Sequence, residues 1–325
     1  MHTLPPPFKQ RIALLFLRRG APLAFLLILA VFALTAPNFL SIGNLANVFA
    51  QSAILGVLAF GLTIVIIGGG SNVVTGGLDL SLASNLGLCA AVYASLNNAG
   101  YGATTSIAAT VLTGMAVGAV NGAVVVWLGL PPLLATLASL NLINGLELVL
   151  TENTVLPTSS VLLDLLSGGN WLGVPALAWI FTGTGLLLAL LLQHSRFGLR
   201  LYAVGEYAEA ARAAGIPVRS YVFFSYILSG ICGALAAFLS AAWFSGSTTG
   251  SGELLLSVVA IAFLGVVFSP RVLPSITGTI FATLLVGFLM NGFQLLNISS
   301  FWVNGIQGAL ILLVVAASSM LRASK

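Results

Sequence analysis

Runs of about 20 apolar residues recur along this chain from Gly20 to Met320, and about 20 is the number a helix needs to cross the roughly 30 Å of bilayer hydrocarbon. Only 6% of the 325 residues are charged, against about 25% in an ordinary soluble domain. A chain so poor in charge cannot clothe a water-facing surface, so its solvent is lipid. The 36 glycines would weaken soluble helices but suit membrane helices that approach backbone to backbone. The fold class expected is therefore an all-α polytopic membrane protein, a single transmembrane domain over residues 1–325.

Hydropathy places spans at 20–37, 45–67, 80–96, 104–128, 131–150, 172–193, 221–243, 254–268, 272–296 and 300–320, which makes ten helices. Basic residues mark the cytoplasmic side. They cluster before the first helix (Lys9, Arg11, Arg18, Arg19), between the sixth and seventh (Arg196, Arg200, Arg212, Arg219) and after the tenth (Arg322, Lys325). An even number of crossings puts all three clusters, and both termini, inside; Arg271 also falls inside, and Glu152, Asp164 and Glu253 fall on the far side. The short runs at 80–96 and 254–268 admit a re-entrant reading, which lowers the count to eight. The basic N-terminus ahead of Ala21–Ala36 has the outline of a signal peptide, but that run nearly spans a bilayer and lacks a small-x-small cleavage site at its end, so it reads as the first membrane helix. No basic stripe with interleaved aromatics points to nucleic acid. Cys89 and Cys232 stand singly inside apolar runs, without metal-ligand or redox spacing, and read as small packing residues.

The chain also repeats itself. Gly76-Gly77-Leu78-Asp79-Leu80 introduces the third span and Asn121-Gly122 lies in the fourth; Gly252-Glu253-Leu254 introduces the eighth and Asn291-Gly292 lies in the ninth, at nearly the same offset. Helices two to five begin outside and helices seven to ten begin inside, so the two sets are expected to be inverted repeats.

Between the sixth and seventh spans, residues 194–220 form the longest cytoplasmic segment. Ala208 to Ala214 favours one short helix, which Gly215 and Pro217 stop. Composition leaves open whether that helix is a docking peg or a connector lying on the membrane surface. Here a resemblance enters. Arg196-Phe197-Gly198, Ala203-Val204-Gly205, Ala210-Ala211-Arg212 and Gly215-Ile216 resemble the Arg-Phe-Gly, Ala-Val-Gly, Ala-Ala-Arg, Gly-Ile segment of ribose-type permeases of ATP-binding-cassette sugar importers. In the same order along the chain, Gly76-Gly77-Leu78-Asp79-Leu80-Ser81 is similar to that family's Gly-Gly-Ile-Asp-Leu-Ser. Pro132-Leu133-Leu134-Ala135-Thr136-Leu137 resembles its Pro-Phe-Ile-Ala-Thr-Leu, and Tyr226-Ile227-Leu228-Ser229-Gly230 its Tyr-x-Leu-Ser-Gly. The resemblance covers about 40 to 318.

The resemblance implies a bacterial inner-membrane importer. Two permease subunits, identical or homologous, enclose the pathway, two cytoplasmic ATPases engage the segment around Glu206 to Gly215, and an external solute-binding protein delivers a small polar solute such as a monosaccharide. Arg196, Gly205, Glu206, Glu209, Ala210, Ala211, Arg212 and Gly215 are the coupling residues it implies. This chain carries no Gly-x-x-x-x-Gly-Lys-Ser/Thr phosphate loop, so ATP and magnesium are expected in the ATPase partner, with no cofactor and no enzymatic activity here. The sequence departs from the family at Leu264–Pro274, where a Gly-rich run is usual, at Gly68–Thr75, which is longer than usual, and at Tyr207 and Ala208, where Asn and an acid are usual.

Asp79 stands at a membrane boundary just before a helix, a place where a carboxylate accepts exposed backbone N–H groups; it reads as a structural cap ahead of a solute contact, and Glu253 reads the same way. Glu147 is expected near the outer end of the fifth helix, within reach of water. A sugar leaving water needs amides and hydroxyls in place of its hydration, and Gln51, Asn121, Asn141, Asn144, Asn291 and Gln294 are the pathway candidates, each competing with a role as interhelical glue. An ion-gradient-driven secondary transporter is the rival reading; it usually needs ionisable groups near the midplane, which the predicted spans lack. An intramembrane enzyme is disfavoured because His2 and His194 lie outside the spans and no His-Glu-x-x-His or Gly-x-Ser-x-Gly motif occurs.

Overall fold

The computed structural model describes residues 25–70, 76–269 and 273–299, with Leu23, Arg271 and a few positions between Trp302 and Ala309. The basic N-terminal cluster, the tenth expected span at 300–320 and the Arg322 and Lys325 pair lie wholly or mostly outside these residues. Helices occupy each of the nine earlier expected spans: α1 (Phe25–Thr35), α2 (Ile42–Gly69), α3 (Leu82–Asn98), α4 (Ala103–Val126), α5 (Pro132–Thr151), α7 (Ala176–His194), α10 (Val218–Phe244), α11 (Leu255–Phe268) and α12 (Ile276–Leu295). Among the described residues seven helical stretches are long and apolar enough to cross a membrane: α2, α4, α5, α7, α10, α12, and α11 together with the 3-10 turn Ser251–Leu254 before it. The chain is an all-α polytopic membrane protein.

Two expectations need correction. The sixth span was expected from residue 172, but Asn170–Trp171 and Val174–Pro175 pair as a small antiparallel hairpin, β1 and β2. Leu172 and Gly173 both take positive φ at its tip, the twist that two-residue hairpin turns favour, and α7 starts only after Pro175. Before the hairpin, a short helix α6 (Val161–Gly168) is started by Ser160, whose side chain accepts the Leu163 N–H. The second correction concerns 194–220, which holds two helices, not one: α8 (Arg196–Glu206) precedes α9 (Ala208–Ala213).

The bundle is built around α2 and α10. Nearly every α2 side chain from Val48 to Gly68 is buried, as expected of a helix that is apolar on all sides and surrounded by others. By contrast α4 buries only a stripe, Ser106, Thr110, Gly114, Gly118, Asn121 and Gly122, while Leu112 and Val120 are exposed. The small and polar residues face protein and the large apolar ones face outward, the pattern of a helix in lipid, where packing rather than water exclusion drives association. The stripe lies on α10: a Cβ at Gly114 or at Gly230 would collide with the other's carbonyl group. Phe60 and Phe181 stack at 5.5 Å to join α2 and α7, and Phe32 meets Phe293 edge-on at 5.6 Å to seat α1 against α12.

Alternation along the chain gives the bundle two distinct ends. At one end the 156–158 strand segment is clasped to 245–247 by Thr158 N–H to Ser245 C=O and Ser247 N–H to Leu156 C=O, and Asn97 and Asn98 of α3 donate to Ser159 and Pro157 carbonyls. The opposite end gathers the α2 C-terminus, Gly76–Gly77, the α4–α5 turn, the α8–α9 pair and the turn before α12.

Candidate functional site

The α8–α9 pair carries the exposed charges Arg196, Arg200, Glu206, Glu209 and Arg212. Ser195 caps α8 by accepting the Gly198 N–H, and Gly198, Leu201 and Val204 turn inward at helical spacing. That inward face, with polar residues opposite, is an amphipathic pattern. Gly205 closes the contact: a Cβ there would collide with the carbonyl oxygen of Ile67 in α2, so the end of α8 rests directly on the end of a core helix. Glu206 and Tyr207 are exposed, α9 follows, and the chain leaves through Gly215, whose φ of +79° suits the residue that ends a helix. Its N–H reaches Arg212 C=O at 3.0 Å. On α9, Glu209, Ala210 and Arg212 are exposed and Ala211 is buried, while Arg196 at the start of α8 is exposed. The expected coupling residues thus divide into an outward group (Arg196, Glu206, Glu209, Ala210, Arg212, Gly215) and two anchors (Gly205, Ala211).

Beside α8 lies a groove of about 460 Å³, bounded by His194, Tyr202, Glu206, Arg271 and Pro274. Tyr202 donates to Pro274 C=O at 2.9 Å. Burial pushes its phenol up to about 12, against the opposing charge of Arg271, so it stays a neutral donor that ties α8 to the turn before α12.

Deeper, the turn 76–81 is locked among three helices. Asp79 is 1% exposed; its Oδ1 accepts the Ser81 N–H at 3.1 Å and the Ser81 hydroxyl at 2.7 Å, and its Oδ2 accepts the Ser229 hydroxyl of α10 at 2.8 Å. Asn121 of α4 donates to Ser81 Oγ at 2.7 Å, and Tyr226 of α10 donates to Leu78 C=O at 3.1 Å. Asp79 therefore does more than take the donor ahead of α3: it joins α3 to α10. Sequence reading missed Ser229 and Tyr226 as its neighbours, although their spacing, one helical turn apart on α10, is the signal that would have shown them on one face. Glu253 does not mirror this arrangement. It is exposed, and no side chain caps either the 251–254 turn or α11, because the chain enters through left-handed Gly250, whose carbonyl takes the Glu253 N–H at 3.0 Å.

The pathway candidates are dispersed. Asn121 is fully buried beside Ser81, and Asn291 exchanges two hydrogen bonds with Asn44 of α2, at 2.9 and 3.0 Å. Gln51 is half-buried and borders a small recess with Ser52 and Thr283. Asn141 and Gln294 are exposed and Asn144 is half-buried. Glu147, expected to reach water, is 2% exposed, because α3 and the 251–254 turn close over it. Both cysteines are buried and unpaired, as packing residues are.

A family described as "branched-chain amino acid transport system / permease component" matches residues 44–315. The ribose import permease protein RbsC of Escherichia coli (strain K12) is 33% identical over 299 residues, 90% of this chain and 91% of that protein. The autoinducer 2 import system permease protein LsrC of Photorhabdus luminescens is 31% identical over 308 residues, 93% of this chain and 89% of that protein. No solved structure matches. A match over most of the length of both chains, on a fold of membrane-crossing helices with an exposed helix pair at one end, means that this protein belongs to that permease family and is the membrane component of an ATP-binding-cassette importer.

Proposed function

We propose that this chain forms one half of a dimeric pathway that imports a monosaccharide or a similar polyhydroxylated solute, driven by a separate ATPase that docks on α8–α9. The observation that carries the reading is the exposed α8–α9 pair, seated through Gly205 on the end of core helix α2. A push on that surface passes to the bundle through backbone contact rather than through a flexible linker. ATP and magnesium belong to the partner, and an external binding protein delivers the solute. The names of the relatives support a sugar-like solute and favour this over a gradient-driven transporter.

Orientation in the bacterial inner membrane follows from charge. Arg196, Arg200, Arg212, Arg219 and Arg271 gather at the α8–α9 end, which supports placing that end, and both termini, in the cytoplasm. Ten crossings arranged as inverted repeats are supported by packing. The central helices α2 and α10 contact each other; α4 packs along α10 as α12 packs along α2, α3 touches α10 as α11 touches α2, and α3 pairs with α4 as α11 pairs with α12. Exchanging the two halves leaves this scheme unchanged.

The test is co-purification of the chain with its ATPase in lipid, comparing the native protein with a Glu209→Arg, Arg212→Glu variant. The expected result is that the native pair associates and hydrolyses ATP while the variant, still folded, releases the ATPase. Equal association of both, or of neither, sinks the docking assignment.

A further inference from the structure

Glu147 is an acid on a membrane-crossing helix, and such a residue is expensive to keep there without a purpose. Its Oε1 has no hydrogen-bond partner, and among the described residues no basic side chain pairs with it. It is not the only unsatisfied group in its surroundings. The Ser251 hydroxyl, 4% exposed, lies against that carboxyl as a weak donor to it and has no partner at good hydrogen-bond geometry, and Ser84 Oγ on α3, one turn before Gly87, has no partner. The carboxyl of Glu147 and the hydroxyl of Ser251 meet over Gly87: a Cβ added there would collide with both Glu147 Oε2 and Ser251 Oγ. Asn144, one turn before Glu147 on α5 and on the same face, reaches the same turn, its Nδ2 lying 3.7 Å from where a Cβ on Gly252 would stand.

Buried polar groups in native proteins are nearly always well paired, so an unpaired carboxyl oxygen with an unpaired and a poorly paired hydroxyl close by asks for a missing partner. The groups offered are a carboxyl acceptor, an amide donor and a hydroxyl that does both. That set matches the hydroxyls of a sugar, each of which donates once and accepts. The cover over them is slight: a four-residue 3-10 turn, Ser251–Leu254, entered through a left-handed glycine. The turn packs on α3 and runs directly into α11, so its displacement from α3 is the movement that would uncover the carboxyl.

We propose that Glu147, Ser251 and Asn144 form a solute subsite that takes hydroxyl groups of the polyhydroxylated cargo when the 251–254 turn moves aside, an assignment that rests on the import reading above. The site lies towards the end of the bundle opposite α8–α9, where cargo handed over from outside would first meet the membrane domain.

The experiment uses the full importer, with its ATPase and binding protein, in proteoliposomes, in a background with Cys89→Ala and Cys232→Ala. Ser251→Cys is the reporter, with Asn144→Cys as a second reporter should the first fail to assemble. Labelling by a charged, membrane-impermeant methanethiosulfonate reagent is timed in nucleotide-free, ATP-bound and vanadate-trapped forms, with and without saturating D-ribose. The expected result is labelling in at least one form, slowed about fivefold or more by D-ribose. Glu147→Gln should remove that slowing, each rate with D-ribose being compared with the same variant's own sugar-free rate, while ATP hydrolysis by the assembled importer is retained, which separates loss of the site from loss of the fold. No labelling in any form, equal rates with and without D-ribose, or protection by ethylammonium in its place overturns the subsite. Uptake of D-ribose by the same vesicles reads the import function separately: native vesicles that transport D-ribose while the reporter is indifferent to it refute the subsite alone. Vesicles that hydrolyse ATP and take up no D-ribose refute the sugar reading and the ligand assigned to this site with it.

Discussion

Asp79 accepts a 2.8 Å hydrogen bond from Ser229, a residue 150 positions further along the chain. The bond fastens the turn before α3 to the middle of α10. With both serines donating to it, the carboxylate is an acceptor for three hydrogen bonds in all. Asp79→Ala leaves those donors stranded in a dry interior, and a buried donor left without its acceptor costs about 1–3 kcal/mol. The variant is expected to lose monodispersity at a lower temperature in detergent, read by fluorescence-detected size exclusion after heating. Asp79→Asn keeps one acceptor and should lose less. Equal melting of Asp79→Ala and the native protein would remove the network from the account of stability.

Gly205 is where α8 meets α2, and a methyl group there meets the Ile67 carbonyl. Overpacking of this kind typically costs about 1–3 kcal/mol. Gly205→Val should displace α8, weaken ATPase association and reduce ATP-dependent uptake by about tenfold, with the helical content of the bundle retained by circular dichroism.

At the α4–α10 crossing, Gly230→Ala drives a Cβ into the Gly114 carbonyl, whereas Gly183 of α7 has open space around it. Thermal unfolding should therefore fall by several degrees for Gly230→Ala and stay within experimental scatter or rise slightly for Gly183→Ala, since alanine is the better helix residue. Similar effects of the two substitutions would refute close backbone approach as the basis of this crossing.

The Asn44–Asn291 pair is suited to a double-mutant cycle. Replacing Asn291 by Leu removes the donor to Asn44 Oδ1 and leaves Asn44 Nδ2 with the Phe39 carbonyl alone, with an expected loss of about 0.5–2 kcal/mol, and the Asn44→Leu, Asn291→Leu variant should recover part of it. Strict additivity of the two single losses would show that the amides do not interact in the membrane.

The membrane helices were legible because hydrocarbon thickness imposes one length on every crossing, and the residues at 45–67 or 221–243 could hardly serve any other purpose. The α8–α9 region was half legible. Ala208–Ala213 stood out by composition, but Arg196 and Arg200 made α8 look like loop, although Ser195 as a cap and the inward spacing of Gly198, Leu201 and Val204 were present. The hairpin at 170–175 was hidden because Trp171, Leu172 and Val174 extend the apolar run of α7, and only backbone twist separates them. Asp79 was recognisable as a group ahead of a helix, but its partner on α10 depends on which helices touch, and hydropathy does not state that. Glu147 was misplaced for the same reason: exposure depends on α3 offering a glycine opposite it.

The Asn44–Asn291 pair also has a consequence in time. The two residues are 247 positions apart, and at roughly 5–20 residues per second of synthesis Asn44 waits on the order of 10–50 s before its partner exists. During that interval its amide has one partner nearby, the Phe39 carbonyl to which Nδ2 also donates at 2.8 Å. Helix α2 can therefore be inserted long before it is finished, and it remains a half-satisfied surface until α12 arrives. Assembly of the membrane domain is thus ordered by translation, and α2 meets α12 only after every helix between them has been made.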